Sequence, residues 1–320
     1  MQVNKIIQGD CIDVMQNMET ESIDTIITDP PYGLEFMGKK WDYDVPSIEV
    51  FKEMLRVIKP GGTLLCFAGT RTQHRMAVNV EDAGFILKDV IIWLFASGFP
   101  KATDISKQLD KKVGKERKVV GYEEPFGREN RKARQGKGTG IVKFSKEEGI
   151  ESKNPITEPS TPEAKLWNGW KSHGLKPAYE PILVAMKPND GTYANNALKH
   201  GVSGLNIDGG RIGTDDNLNG GAYTGKGKMK HIADHQWGFQ KRDGQYKQPK
   251  GRFPANILLD EEAAEMLDEQ SGESKSSSRR DVGKLLGKTR GIIGMSSSKW
   301  ERKIDDYSDK GGASRFFKVI

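Results

Sequence analysis

Cysteine is nearly missing from this chain: 320 residues hold only two, Cys11 and Cys66. That excludes a disulfide-stapled scaffold and a cysteine-rich zinc module. Both lie on or beside predicted strands, so two buried free thiols in a reducing, cytoplasmic setting are expected. Long apolar runs are missing too. None approaches the roughly 20 residues of a membrane-spanning helix, and no membrane association is expected. The first residues enter a strand-like run, 3–7, with no sign of a secretory signal. Apolar residues make up only 35% of the chain and the mean hydropathy is −0.64, so some long segments are expected to be loops. There is no internal repeat. His231 and His235 have the spacing of a helical metal pair, but no Glu follows His231 and both cysteines lie far off, so no metal is expected. Residues 283–289 (GKLLGKT) have three residues between the glycines where a phosphate-binding loop needs four.

What is present is charge, unevenly placed. The net charge is +6. Residues 1–100 carry 9 Lys/Arg against 14 Asp/Glu, 101–150 carry 14 against 8, and 151–320 carry 27 against 22. An acidic first part followed by a basic remainder fits a catalytic core joined to polyanion-contacting segments.

The first hundred residues alternate between strand and helix patterns. A short apolar run at 3–7 leads to a helical pattern at 12–18, then an apolar run at 23–28. Ser47 opens a helix running to about Lys59, in which Ile48, Phe51, Leu55 and Ile58 recur at helical spacing. A strand at 63–67, a helix at 72–83 and a strand at 85–95 follow. This order predicts an α/β fold with a doubly wound, mostly parallel sheet. Residues 101–170 are basic and poor in apolar periodicity, which reads as a mobile insertion. A buried strand returns at 181–186, and a strand-like piece and helix at 253–270. The intervening stretches, and 271–290, are Gly-, Ser- and Lys-rich. The expected division is a core of 1–100 and 171–189, an insertion of 101–170, and a target-contacting region of 190–320.

One tetrapeptide carries chemistry. Asp29-Pro30-Pro31-Tyr32 follows the run 23–28 directly, at the carboxyl end of a predicted strand, where open α/β sheets bind ligands. An exocyclic amine of adenine or cytosine is a poor nucleophile because its lone pair is delocalised into the ring. A carboxylate (Asp29) and a backbone carbonyl (Pro30) can each accept one of its N–H bonds, which frees the lone pair for a methyl donor. Pro30 and Pro31 fix φ and hold that carbonyl. The Tyr32 ring offers a face for a base taken out of its stack. Trp41, in the following loop, is either packing or a lid over such a base, and His74 with Arg71 and Arg75 either contacts phosphate or is plain surface.

With those residues in view, the chain resembles the S-adenosylmethionine-dependent DNA amino-methyltransferases of permuted, beta-class order, and more closely the prophage-type adenine methyltransferases. The stretches that carry the resemblance are GDCIDVM (9–15), IDTIITDPPYG (23–33), GTLLCFAGTRTQHR (62–75), IIWLFASGFPKATD (91–104), GWKSHGLKPAYEPILVAMKP (169–188), GVSGLNIDGGRIG (201–213), GRFPANILLD (251–260) and GGASRFF (311–317). The resemblance implies a seven-stranded methyltransferase sheet with target recognition after Lys187. It implies a site-specific enzyme on double-stranded DNA, of the kind found in restriction–modification systems. Asp29, Pro30, Pro31 and Tyr32 are its implied catalytic set, and Asp10, Cys11, Asp29 and Pro30 the implied cofactor contacts. Glu180 falls in the region lining the target-base pocket. Aspartate at the first motif position implies adenine N6, with cytosine N4 as the alternative. One element departs from the pattern. The family's Phe-x-Gly-x-Gly loop, expected near the carboxyl terminus, is not found before Ile320, and Phe67-Ala68-Gly69-Thr70 follows the wrong strand and lacks the second glycine. Completeness of the cofactor site therefore stays open. The alternative is a DNA-binding chain completed by a second chain, or by a second copy of this one.

Overall fold

The run 23–28 is built from Ile and Thr, side chains that suit a pleated strand, and 48–57 places apolar residues three and four apart, as a helix on a sheet requires. The computed structural model turns both patterns into those elements. It describes residues 4–34, 40–98, 102–123, 154–214, 218, 247–275 and 310–320. In chain order the elements are α1 (Cys11–Gln16), β1 (Ile23–Thr28), α2 (Ile48–Val57), β2 (Ile58–Phe67), α3 (Gln73–Asp82), β3 (Ile86–Leu94), α4 (Ile105–Lys112), β4 (Val119–Glu123), β5 (Asn154–Thr157) and α5 (Pro162–Leu166). They continue with β6 (Tyr179–Met186), α6 (Tyr193–His200), β7 (Ile257–Leu259), α7 (Glu261–Ser271), β8 (Ser274–Lys275), β9 (Lys310–Gly311) and β10 (Lys318–Val319). Two compact units result: Met1–Ser97 with Ala178–Ile320, and Gly98–Pro177.

The first unit is an α/β fold around a six-stranded sheet of order β1-β2-β6-β3-β7-β10. Its β1–β2, β3–β7 and β7–β10 pairs are parallel, and β6 runs antiparallel between β2 and β3. Phe51, Met54 and Val57 of α2 and Met76 and Val80 of α3 pack on Leu64 and Cys66 of β2 and on Leu183 and Ala185 of β6. Each large side chain so buried contributes about 1.5–3 kcal/mol. Buried Asn196 of α6 donates to the Pro60 and Val202 carbonyls and accepts from the Asp190 N–H, which ties α6 to the start of β2. Gly61, at φ +73°, makes room for it: a Cβ there would lie 2.3 Å from Asn196 Nδ2.

Three sequence expectations change at this level. Residues 4–8 form no strand, and Ile6 is fully exposed; among the described residues no strand lies on the outer flank of β1. Cys11 opens α1 and is exposed, so of the two thiols only Cys66 is buried. The stretch 190–320, expected as a separate region, gives β7 and β10 to the same sheet as the core.

The second unit has regular structure where apolar periodicity gave no sign of any. Its centre is polar. Asp110, at the end of α4 and fully buried, accepts from Arg117 Nη1 (2.7 Å), the Ser160 N–H (3.0 Å), the Thr161 N–H (2.9 Å) and the Thr161 hydroxyl (2.8 Å). Arg117 also donates to Ser106 Oγ and Thr157 Oγ1, and the Ser106 hydroxyl donates to the Ala164 carbonyl. One carboxylate thus joins α4, the antiparallel β4–β5 ribbon and the start of α5.

Burial pushes the Asp110 carboxyl up, but the bonds from Ser160, Thr161 and Arg117 outweigh it and hold the group at about 2. A carboxylate depressed in this way stabilises the fold above its unfolded value of about 3.9, and that stability is lost as pH falls through the folded value. This unit is therefore expected to lose protection of its amides between about pH 4 and pH 2. Hydrogen exchange of the α4 and β4 amides measures it. Asp110→Asn should remove that acid step and weaken protection at neutral pH; an unchanged profile would contradict the assignment.

Candidate active site

The Asp29-Pro30-Pro31-Tyr32 turn leaves the carboxyl end of β1. Thr28 is in register with Cys66 of β2, so the turn lies beside the segment that follows β2. Glu180 stands opposite Trp93 in the β6–β3 ladder, and Phe67, Trp93 and Phe95 form an edge-on aromatic row with centroids 6.4 and 5.8 Å apart. The indole N–H of Trp93 is buried with no hydrogen-bond partner among the described residues.

Two prolines restrict the turn, but a carboxylate holds it. Asp42, only 3% exposed, accepts the N–H of Tyr32 (2.9 Å) and of Gly33 (2.9 Å) through Oδ1, and that of Leu34 (3.2 Å) through Oδ2. Gly33 takes φ +64°, and a Cβ there would meet the Val45 nitrogen at 2.9 Å. From the other side the Thr72 hydroxyl donates to the Tyr32 carbonyl at 2.6 Å. Thr72 is the N-cap of α3 but makes no side-chain bond to its own helix; its hydroxyl serves the turn instead. Gly69 lets the two approach, since a Cβ at that position would lie 3.0 Å from Thr72 Oγ1 and 3.1 Å from the Tyr32 Cβ.

Within this frame the Tyr32 hydroxyl donates to Asp29 Oδ1 at 2.6 Å. Asp29 is exposed, and its Oδ2 has no hydrogen-bond partner among the described residues. Burial, the bond to Asp29 and the nearby charge of Glu180 push the Tyr32 phenol far up, so it stays a neutral donor. Burial and the Asp29 charge push the Cys66 thiol up to about 12, which removes it as a nucleophile. The arrangement is a fixed carboxylate with one open oxygen, beside a half-buried ring and a second acidic side chain. It can orient an amine, and it offers no covalent nucleophile.

Of the residues singled out in the sequence, Asp29, Pro30, Pro31 and Tyr32 are together, with Glu180 close enough to act on Tyr32 electrostatically. Asp10 caps α1 by accepting the Ile12 N–H at 2.9 Å, and Cys11 follows it, exposed. No hydrogen bond or ion pair joins either to the turn among the described residues. Trp41 and His74 are both exposed. His231, His235 and 283–289 lie outside the described residues, and among those described no cluster could hold a metal. Sequence reasoning missed Asp42, Thr72 and Gly69. Asp42 has no local signal; only its distance of ten residues from Tyr32, in a loop returning to the sheet, could have suggested it.

A family model described as DNA methylase, of the N6/N4 type, matches residues 23–208, more than half of the chain. The chain belongs to the N6/N4 DNA methylase family. That family is one of S-adenosylmethionine-dependent methyltransferases, and its matched region contains the turn, the Asp42 clamp and the whole second unit. The type II methyltransferase M.HpaI of Haemophilus parainfluenzae is 32% identical over 117 residues, covering 33% of this chain and 36% of that protein. M.HindIII of Haemophilus influenzae is 26% identical over 156 residues, covering 48% and 36%. The chain thus spans about a third of the length of the curated relatives it matches. The crystal structure of the M1.HpyAVI–SAM complex aligns with a TM-score of 0.27 at 16% identity, over 57% of this chain and 53% of that one. The putative DNA modification methylase TTHA0409 of Thermus thermophilus, complexed with S-adenosyl-L-methionine, aligns at 0.28 and 16%, over 64% and 61%. At such scores the likenesses carry no argument.

The methyl donor fits the described residues only in part. Asp29, exposed just past β1, keeps one carboxylate oxygen open beside the Tyr32 ring. The glycine loop that would hold the donor's methionine end is not among the described residues, and β1 has no strand on its outer flank there.

Asp42→Ala is expected to leave three N–H groups without their acceptor and to cost about 2–4 kcal/mol of stability. Asp29→Ala, at an exposed position, should cost less than about 1 kcal/mol. Urea unfolding of the two variants tests the contrast; equal losses would remove Asp42 from its structural role.

Proposed function

We propose that the chain orients the exocyclic N6 amine of an adenine, flipped out of duplex DNA, for methylation by S-adenosylmethionine. The observation that carries this reading is Asp29 itself. It is a carboxylate at the end of β1, fixed through one oxygen by a neutral tyrosine and open at the other. Asp29 accepts one N–H of the amine and the Pro30 carbonyl the other, so the nitrogen lone pair is drawn out of the ring. The Tyr32 ring stacks on the base. When bound, the donor supplies an electrophilic methyl group on a sulfonium. The alkylated nitrogen is cationic and loses its proton readily, so Asp29 need not be a strong base. Asp29 and Glu180 both favour that cation electrostatically. Adenine is favoured over cytosine by the aspartate at the head of the tetrapeptide, a family inference.

A second reading rests on the outer edge of β1, where no strand pairs among the described residues. There a second chain, or another copy of this one, adds the cofactor wall, and the present chain contributes the target side alone. Labelled S-adenosylmethionine and unmethylated genomic DNA, followed by digestion and identification of the modified nucleoside, separate the readings. N6-methyladenine supports the proposal, and N4-methylcytosine moves the target to cytosine. No transfer, with DNA binding retained, supports the second reading. Asp29→Ala should abolish transfer while leaving DNA affinity unchanged. Tyr32→Ala should reduce transfer by about 10- to 100-fold and Tyr32→Phe by less, since phenylalanine keeps the stacking face and loses only the hydroxyl bond that fixes Asp29. Undiminished transfer by Asp29→Ala would sink the mechanism.

A further inference from the structure

Two tryptophans of the second unit are left in water by a turn that is itself rigid. Trp167 is 40% exposed and Trp170 61%, beside Leu166 at 77%. An indole buries on the order of 150–250 Å² when covered, so a pair left open on a well-tied turn forgoes a large stabilisation. The turn is not loose. Trp167 N–H donates to the Glu163 carbonyl, Asn168 N–H to Lys165 and Trp170 N–H to Trp167. Beyond it, Ile105 N–H donates to the Trp170 carbonyl and Ser172 N–H to Thr103, which fastens the turn to the start of α4. Gly169, at φ +86° and with open space around its Cβ position, reverses the chain between the two rings. The indoles meet edge to face, centroids 5.3 Å apart and planes at 73°, so each keeps a surface open.

The unit that carries them is rich in exposed cations. The described residues of this unit, 102–123 and 154–177, carry nine Lys/Arg against six Asp/Glu. Among the acids, Asp110 is bound by Arg117 and Asp104 by Lys171. Lys107 and Lys111, one turn apart on α4, are exposed, as are Lys112 and Lys165. Open aromatic faces on a unit whose α4 exposes lysines match a polyanion whose bases are out of their stack: rings take the bases and ammonium groups take the phosphates.

We propose that this unit is a nucleic-acid-contacting module, in which Trp167 and Trp170 stack on unpaired bases and the α4 lysines meet the phosphate backbone. The inference rests on the reading of DNA as the substrate and adds a surface to it. A flipped nucleotide leaves an unpaired partner and broken stacking behind, and such a module binds DNA in that state better than intact duplex.

The test uses the full chain and a short fluorescein-labelled duplex, either fully paired or with a central unpaired stretch, read by fluorescence anisotropy over a salt series. The parent should bind the unpaired form more tightly. Trp167→Ala with Trp170→Ala should weaken that binding about tenfold or more and leave the paired form nearly unchanged. Trp167→Phe with Trp170→Phe should keep most of the preference, since a ring remains. Lys107→Gln with Lys111→Gln and Lys112→Gln should weaken both forms and lower the log–log salt slope by about 2–3. The proposal is overturned if the alanine pair binds both forms as the parent does, or if the phenylalanine pair loses as much as the alanine pair. It is also overturned if the alanine pair loses only binding to phosphatidylserine vesicles. Tryptophan-dependent DNA binding without methyl transfer would support this surface and count against the enzymatic reading; transfer with tryptophan-independent binding would do the reverse.

Discussion

Three consecutive backbone N–H groups, those of Tyr32, Gly33 and Leu34, converge on the Asp42 carboxylate, and the geometry of the site descends from that convergence. Successive N–H groups on one side of a turn make an anion-binding concavity. Here the anion is a side chain of the same protein, taken nearly out of water and matched by hydrogen bonds that offset its desolvation. The prolines alone could not do this. They fix φ at two positions and leave the direction of Tyr32 free. Once Asp42 clamps the following backbone, Thr72 can reach the Tyr32 carbonyl, Gly69 can pass close to the ring, and the phenol can reach Asp29.

The electrostatics follow from the same burial. The phenol and the Cys66 thiol are both pushed up and stay neutral. The charges that act on the Tyr32 phenol are carboxylates, those of Glu180 and Asp29. Such a site suits a neutral amine that becomes cationic, and it offers nothing to a reaction needing an oxyanion hole or a thiolate.

Much of the first unit was legible because its signals are local. The β-branched run of β1, the helical spacing in α2 and the apolar β6 each announce themselves within about ten residues, and the tetrapeptide sits at the end of β1 as the pattern implied. Asp42 was not legible, since a carboxylate that satisfies backbone ten residues away looks like any loop acid. The second unit was hidden for a different reason. Its centre is Asp110, Arg117, Ser106 and Thr161, and hydrophobic periodicity cannot detect a core made of hydrogen bonds. Residues 3–7 read as a strand because their apolar pattern is real, yet among the described residues Ile6 meets no sheet partner.

The most direct test of the account is a crystal structure of the chain with a duplex whose target adenine stands opposite a mismatch, so that flipping costs little. The account predicts the adenine N6 within about 3 Å of Asp29 Oδ2 and of the Pro30 carbonyl, its ring on Tyr32 and the Asp42 bonds intact. An adenine bound with its amine turned away from Asp29, or a turn that abandons Asp42 when DNA binds, would contradict it.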